Sequence, residues 1–205
     1  MEGCKTCTLL VLIGALVLCT NMQACASAAS TSNKFKTNIQ FIQTSCNTTT
    51  YQKLCVNSLS SYSNEIKTNP QKLAYTALSL TLKSAKNVSS VVKRLAQQSN
   101  LKKNEKAALK DCVENMSESV DALKQSVKEF KNLNATDLAY QMNSIMTWVS
   151  AALSDDDTCL DGLSEESVNG NLQNIIRQNV QNIAQMTSNA LALVNHLNYT
   201  QLHFP

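Results

Sequence analysis

The sequence predicts an all-α protein: an up-and-down antiparallel four-helix bundle with an N-terminal helical hairpin and two disulfides. Three observations lead there. The 205 residues include only four glycines and two prolines, too few turn residues for a sheet protein. Apolar residues recur every three or four positions over four long stretches, as on helices with one apolar seam. Short connections separate those stretches, which favours antiparallel neighbours. Aromatics make up 5% of the chain, so the core falls to Leu, Val, Ile, Ala and Met.

In chain order, the apolar run LLVLIGALVL at 9–18 is short for a bilayer span and suits the centre of a signal peptide. Ala24-Cys25-Ala26 and Ala26-Ser27-Ala28 both fit a small-residue cleavage site, so 1–28 is expected to be removed, leaving 29–205. Residues 34–62 read as the hairpin. Phe35, Ile39, Ile42 and Cys46 make one stripe, and Tyr51, Leu54, Cys55 and Leu59 the other.

The bundle is expected over 70–203, with the first long helix opened by Asn69-Pro70. Its seam is Leu73, Ala77, Leu80, Ser84, Val88, Val91 and Leu95. After a break at Ser99-Asn100 the second seam is Leu109, Val113, Met116, Val120, Leu123, Val127 and Phe130. A break at 132–136 follows, with Thr136 a candidate N-cap. The third seam is Ile145, Val149, Ala152, Asp156, Cys159 and Leu163. Gly162 and Gly170 bracket the last turn. The fourth seam is Leu172, Ile176, Asn179, Ile183, Met186, Ala190, Leu193 and Leu197.

Cys4, Cys7, Cys19 and Cys25 leave with the signal, and Cys46, Cys55, Cys112 and Cys159 remain. An even number in an exported chain favours disulfides, with three pairings open. Locality favours Cys46 with Cys55, which leaves Cys112, on the seam side of its helix, for Cys159. Sequons at Asn47, Asn87, Asn115, Asn134 and Asn198 agree with export.

The acidic string SDDDTCLDGL lies on the third helix, so Asp155, Asp156 and Asp157 are expected on helix surface, Asp156 nearest the seam. The string lacks the alternating ligands of a Ca²⁺ loop and the Cys and His of a zinc site. The two histidines, His196 and His203, stand at the C-terminus. No metal and no cofactor is expected, and no catalytic motif or phosphate loop occurs. A formal net charge of +3, with no basic run interleaved with aromatics, does not point to nucleic acid.

The segments SCNTTTYQKLCVNSL, ALKDCVENMSESVDAL and MTWVSAALSDDDTCLDGL resemble the plant invertase and pectin methylesterase inhibitor family. The resemblance covers essentially the whole mature chain. It implies the same fold, with disulfides Cys46–Cys55 and Cys112–Cys159, and a non-enzymatic inhibitor in the cell wall. The invertase branch typically carries a Pro-Lys-Phe-like tripeptide before the third long helix. That tripeptide is absent from KEFKNLNATDLAYQM, so the resemblance favours the esterase branch, with invertase inhibition as the alternative. No esterase domain follows Pro205, and a free-standing, monomeric 1:1 inhibitor that is not membrane-bound after signal removal is expected. The resemblance places partner contacts at Glu114, Glu118, Thr158 and Asp161, which would otherwise be solvated polar residues.

Overall fold

The computed structural model describes residues 33–165, 170–197 and Leu202. The expected signal segment 1–28, Asn198 and His203 lie outside the described residues. All regular structure within them is helical: α1 at 33–46, α2 (Gln52–Leu59), a 3-10 turn (Ser60–Tyr62), α3 (Ser63–Ile66), α4 (Pro70–Ala96), α5 (Lys103–Lys131), α6 (Leu138–Glu165) and α7 (Gly170–Asn195).

Local chemistry sets the helix ends. Asn69 caps α4 by accepting the Lys72 N–H at 2.8 Å, and Pro70 takes the first helical position, where its missing N–H costs nothing. At the start of α5 the Lys102 N–H donates to the Glu105 carboxylate at 2.8 Å. Thr136 does not cap α6, which begins two residues later at Leu138. Gln141 shapes this turn instead, accepting the Asn134 N–H at 2.9 Å and donating to the Asn132 carbonyl at 3.1 Å. The Asp137 N–H donates to Asn134 Oδ1 at 2.9 Å. Gly162 does not end α6: the helix continues through it to Glu165, and Gln173 of α7 donates to the Leu163 carbonyl at 2.7 Å.

Each long helix packs on its chain neighbour, and α7 closes the ring against α4. The hairpin sits on the α4–α7 side, where α2 contacts both helices. The buried Asn189 of α7 clamps the hairpin turn, accepting the Tyr51 N–H and donating to the Tyr51 carbonyl, both at 3.0 Å. Cys46 is bonded to Cys55 within the hairpin, and Cys112 of α5 to Cys159 of α6. No described helix is long and apolar enough to cross a membrane.

The core forms two clusters, one under the hairpin and one around Cys112–Cys159. Thr81, Ser126 and Thr187 fall between them, each returning its hydroxyl to a carbonyl four residues back. The α6 seam is buried throughout, as its spacing predicts. On α4 the buried face is rotated from the predicted stripe: Ala74, Leu78, Thr81, Ala85 and Val92 are inside, while Leu80, Ser84, Val91 and Leu95 are half-buried. On α5, Val113, Val120 and Val127 move to the flank and Ala108, Cys112, Ser119, Ala122 and Ser126 face inward. On α7, Leu172, Asn179 and Met186 are half-buried while Val180, Ala184 and Thr187 are inside. In a closed ring each helix meets two neighbours, so its buried arc is wider than one seam, and small residues occupy the closest approach. Phe35 is 49% exposed, so the α1 seam holds only from Ile39 onward.

The two disulfides close rings of different length, with sequence separations of 9 and 47. By loop entropy, the Cys112→Ala/Cys159→Ala variant should lose about 4 kcal/mol in urea unfolding, and the Cys46→Ala/Cys55→Ala variant about 2.5–3 kcal/mol. A larger loss from opening the short ring would overturn that account.

Candidate functional site

The outer surface of the α5–α6 pair gathers the predicted contact residues. Glu114, Glu118, Thr158 and Asp161 are all exposed, and all stand on the two helices bound through Cys112–Cys159. The Cα atoms of that pair lie 4.4 Å apart. Ala108, Ser119, Ala122 and Ser126 on α5 have side chains small enough to permit such an approach.

Glu114 and Glu118 are four residues apart and share a face of α5. Glu118 reaches toward α6, where its charge acts on Asp155. Partial burial, together with that neighbouring carboxylate, raises the Asp155 pKa above the usual aspartate range. Thr158 lies three residues from Asp155 on the same strip, its hydroxyl donating to the Ser154 carbonyl at 2.7 Å. Its oxygen keeps acceptor capacity for a partner's donor. Asp161 stands on the outward crest, four residues beyond the exposed Asp157.

The geometry thus brings Glu118 of α5 and Asp155 of α6 near each other, with Thr158 one turn along α6 from Asp155 and Glu114 and Asp161 exposed on the same two helices. Sequence reasoning passed over Asp155. The available signal was composition: α6 holds Asp155, Asp156, Asp157, Asp161 and Glu165 and no Lys or Arg. Asn115, one of the sequons, is half-buried on the same side of α5. Asn47, Asn87 and Asn134 are exposed. Among the described residues no group of His, Cys, Asp and Glu is placed to hold a metal ion.

Asp156 departs from the surface expectation. It is fully buried beneath the acidic strip and joins three helices. Ser119 of α5 donates to Oδ1 at 2.8 Å, and Thr187 of α7 lies 3.1 Å from Oδ2. Burial pushes its pKa up to about 7, against the lowering effect of those two hydroxyls and with some help from the charges of Asp155 and Asp157.

The hydrogen bonds point to the neutral form independently. Thr187 Oγ1 also lies 2.9 Å from the Ile183 carbonyl, yet a hydroxyl has one proton to give. If Asp156 carries a proton on Oδ2, it donates to Thr187, Thr187 donates to Ile183, and Ser119 donates to Oδ1. Every polar atom then has a partner, whereas an ionised Asp156 would compete with the carbonyl for one proton.

Comparison with known proteins adds a lineage to this geometry. A profile described as plant invertase/pectin methylesterase inhibitor matches residues 40–193. The chain is 45% identical over 172 residues to pectinesterase inhibitor 10 of Arabidopsis thaliana, covering 82% of this chain and 54% of that protein's length. It is 44% identical over 186 residues to pectinesterase inhibitor 9 of the same plant, covering 88% and 91% of the two chains. Its fold is similar to a crystal structure of a mutant pectin methylesterase inhibitor from Arabidopsis. The TM-score is 0.61 at 22% identity, over 75% of this chain and 94% of that one.

The buried carboxyl makes stability pH-dependent. Its pKa is 3.8 in the unfolded chain and about 7 in the folded one, so between these values the folded state binds more protons. Its contribution is therefore full below the unfolded pKa and is lost as pH rises through about 7, on the order of 4 kcal/mol in total. Asp156→Asn, which imitates the neutral acid, should match the parent near pH 4 and exceed it in melting temperature near pH 8. Equal destabilisation at both pH values would show that Asp156 is not neutral in the fold.

Proposed function

The chain belongs to the plant invertase/pectin methylesterase inhibitor family, and from that premise we propose that it is a secreted inhibitor of a plant pectin methylesterase. It acts in the cell wall through the acidic α5–α6 face. The relatives above are named as inhibitors, and an inhibitor of this kind performs no chemistry. The observation that carries the reading is the row of exposed carboxylates on two helices that a disulfide holds together.

The physical logic is competition. Pectin presents uronic acid groups, and an enzyme that processes them lines its cleft with groups suited to acidic and ester oxygens. Glu114, Glu118 and Asp161 offer carboxylates at the end of a rigid support, and Thr158 adds an acceptor between them. Because the α5–α6 pair is fixed before association, little conformational entropy is lost on docking. Charge-assisted hydrogen bonds to the cleft then form in place of those the polymer would make. Like charges such as Glu118 and Asp155 repel in the free protein and gain from a cationic partner, which favours encounter. One such face per monomer corresponds to a reversible 1:1 complex that blocks the pectin-binding cleft. A glycan on Asn115 would stand over this face, so the reading requires that sequon to be unmodified.

Titrating purified mature protein against a plant pectin methylesterase should reach full inhibition at one equivalent, and leave an acid invertase unaffected. Thr158→Ala, Asp161→Ala, Glu114→Gln and Glu118→Gln should each weaken inhibition where a charge-assisted bond is lost, by roughly 1.5–3 kcal/mol or about ten- to a hundredfold. Melting temperatures should stay nearly unchanged, since exposed charges contribute little to stability. Inhibition of invertase with none of the esterase would reverse the choice of target, and four silent variants would move the contact face elsewhere.

A further inference from the structure

The net charge of +3 conceals a sorting of charge between diagonal corners of the bundle. Where α6 has carboxylates and no cation, α4 has Lys72, Lys83, Lys86, Lys93 and Arg94 and no carboxylate. All five cations are exposed. Lys72, Lys83 and Arg94 are spaced by eleven residues, almost whole turns, and Lys86 and Lys93 fall beside them. At 3.6 residues per turn the five occupy an arc of about 100°, along roughly 33 Å of helix.

Helix α5, shared by both sides, is divided along its length. Lys106, Lys110, Lys124 and Lys131 stand three, four or seven residues from Val113, Val120 and Val127, on one flank. Asp111, Glu118 and Glu129 stand at the same spacings from Asn115 and Ala122, on the other, and the outward line between the flanks is mixed, with Lys103 and Lys128 beside Glu114 and Asp121. Contacts fix which flank is which. Glu118 acts on Asp155 of α6. Lys131 and Lys72 border one groove with Tyr75 and Phe130, whose rings are 5.9 Å apart across α4 and α5. The cationic flank of α5 therefore faces α4, and the two helices form one basic surface.

We propose that this α4–α5 surface is a docking site for de-esterified pectin, a linear polyuronate. The proposal rests on the inhibitor reading above, because the polyanion an esterase generates beside its inhibitor is its own carboxylate product. The surface chemistry favours that class of polymer. Nine of the ten cations on α4 and the α5 flank, counting the outward Lys128, are lysines, compact point charges rather than the planar forks suited to phosphate. Tyr75 and Phe130, the aromatic residues beside Lys72 and Lys131, pack against each other at one end of the surface, Phe130 buried and Tyr75 half-buried, and no exposed aromatic stands among the cations of α4 to stack a base. The exposed face of α4 has no apolar strip to enter a bilayer. A polymer lying along α4 leaves α6, at the opposite corner, open to the esterase.

The test is retention of the mature protein, without any esterase, on immobilised polygalacturonate and on fully methylesterified pectin. The parent should bind polygalacturonate in about 50 mM salt, elute by about 0.5 M as the charges are screened, and pass through the esterified resin. Lys83→Glu/Lys86→Glu/Lys93→Glu should lose at least about tenfold in affinity, and the triple Gln variant should fall between, with unchanged melting temperatures. Both variants should still inhibit the esterase at one equivalent, because none of the three lysines lies on the acidic face. Equal retention on the esterified resin, full retention of the Glu variant, or stronger competition by DNA or anionic vesicles than by free polygalacturonate would overturn the proposal. Polyuronate binding in a protein that fails to inhibit would leave this surface standing and remove the inhibitor reading instead.

Discussion

The close approach of α5 to α6 is the constraint on which the other features depend. The Cys112–Cys159 bond holds the helices together at one level, and Ser119 with Asp156 ties them one to two turns away. Small side chains suit such contact: α5 buries Ala108, Ser119, Ala122 and Ser126, and Ser119 meets α6 directly. The larger Val113, Val120 and Val127 are left half-buried at the flank. The same approach places Glu118 beside Asp155 and removes Asp156 from water. A looser pair would have solvated all three carboxylates independently. The acidic face and the buried acid beneath it are thus consequences of one packing decision, made by small residues on a single helix flank.

How far the sequence revealed this depended on residue size. On α6 every seam residue named from the sequence is buried, although Met146, Trp148, Leu153 and Leu160 offer competing apolar positions and Met142 is buried ahead of the predicted seam. On α5 the larger Val113, Val120 and Val127 mark a stripe that lies partly on the flank, and on α4 Leu80 and Val91 lie on the flank while Leu78 and Val92, of equal size, are inside. Thr81, Ser119 and Ser126 are buried although their side chains are polar, since each hydroxyl finds an acceptor close by. Periodicity reports hydrophobicity, whereas closeness selects for small volume, and the two signals diverge where helices nearly touch. The hairpin clamp was invisible for a related reason. Asn189 contacts Tyr51, 138 positions away, through a backbone amide that no side-chain pattern records.

Asp156 shows the same limit for charge. Its position on the α6 seam placed it near the core, but three consecutive aspartates read as a solvated face. Burial separates them: Asp157 is exposed, Asp155 partly covered and Asp156 enclosed. An enclosed carboxylate needs a cation or a proton, and α6 supplies no cation. Protonation is the remaining solution, and the single donor of Thr187 is consistent with it. Burial is the main cause that keeps the proton on Asp156, and the charges of Asp155 and Asp157 on the outer side of α6 add to it, so the outer strip and the inner acid are electrostatically coupled.

The polarity of the whole bundle follows from the same arrangement. If α5 carried its cations on both flanks, some would pair with α6 and neutralise it. Sorting them toward α4 leaves the α6 side strongly acidic and the α4 side strongly basic, while the total stays near neutral. Association is governed by the potential at the approaching surface, because the net charge is screened within about 10 Å at ordinary salt. Opposite corners of a bundle about 10–12 Å per helix across are far enough apart for each to act on its own partner. The disulfide that fixes α6 against α5 therefore also fixes the direction in which the charge of the bundle is sorted.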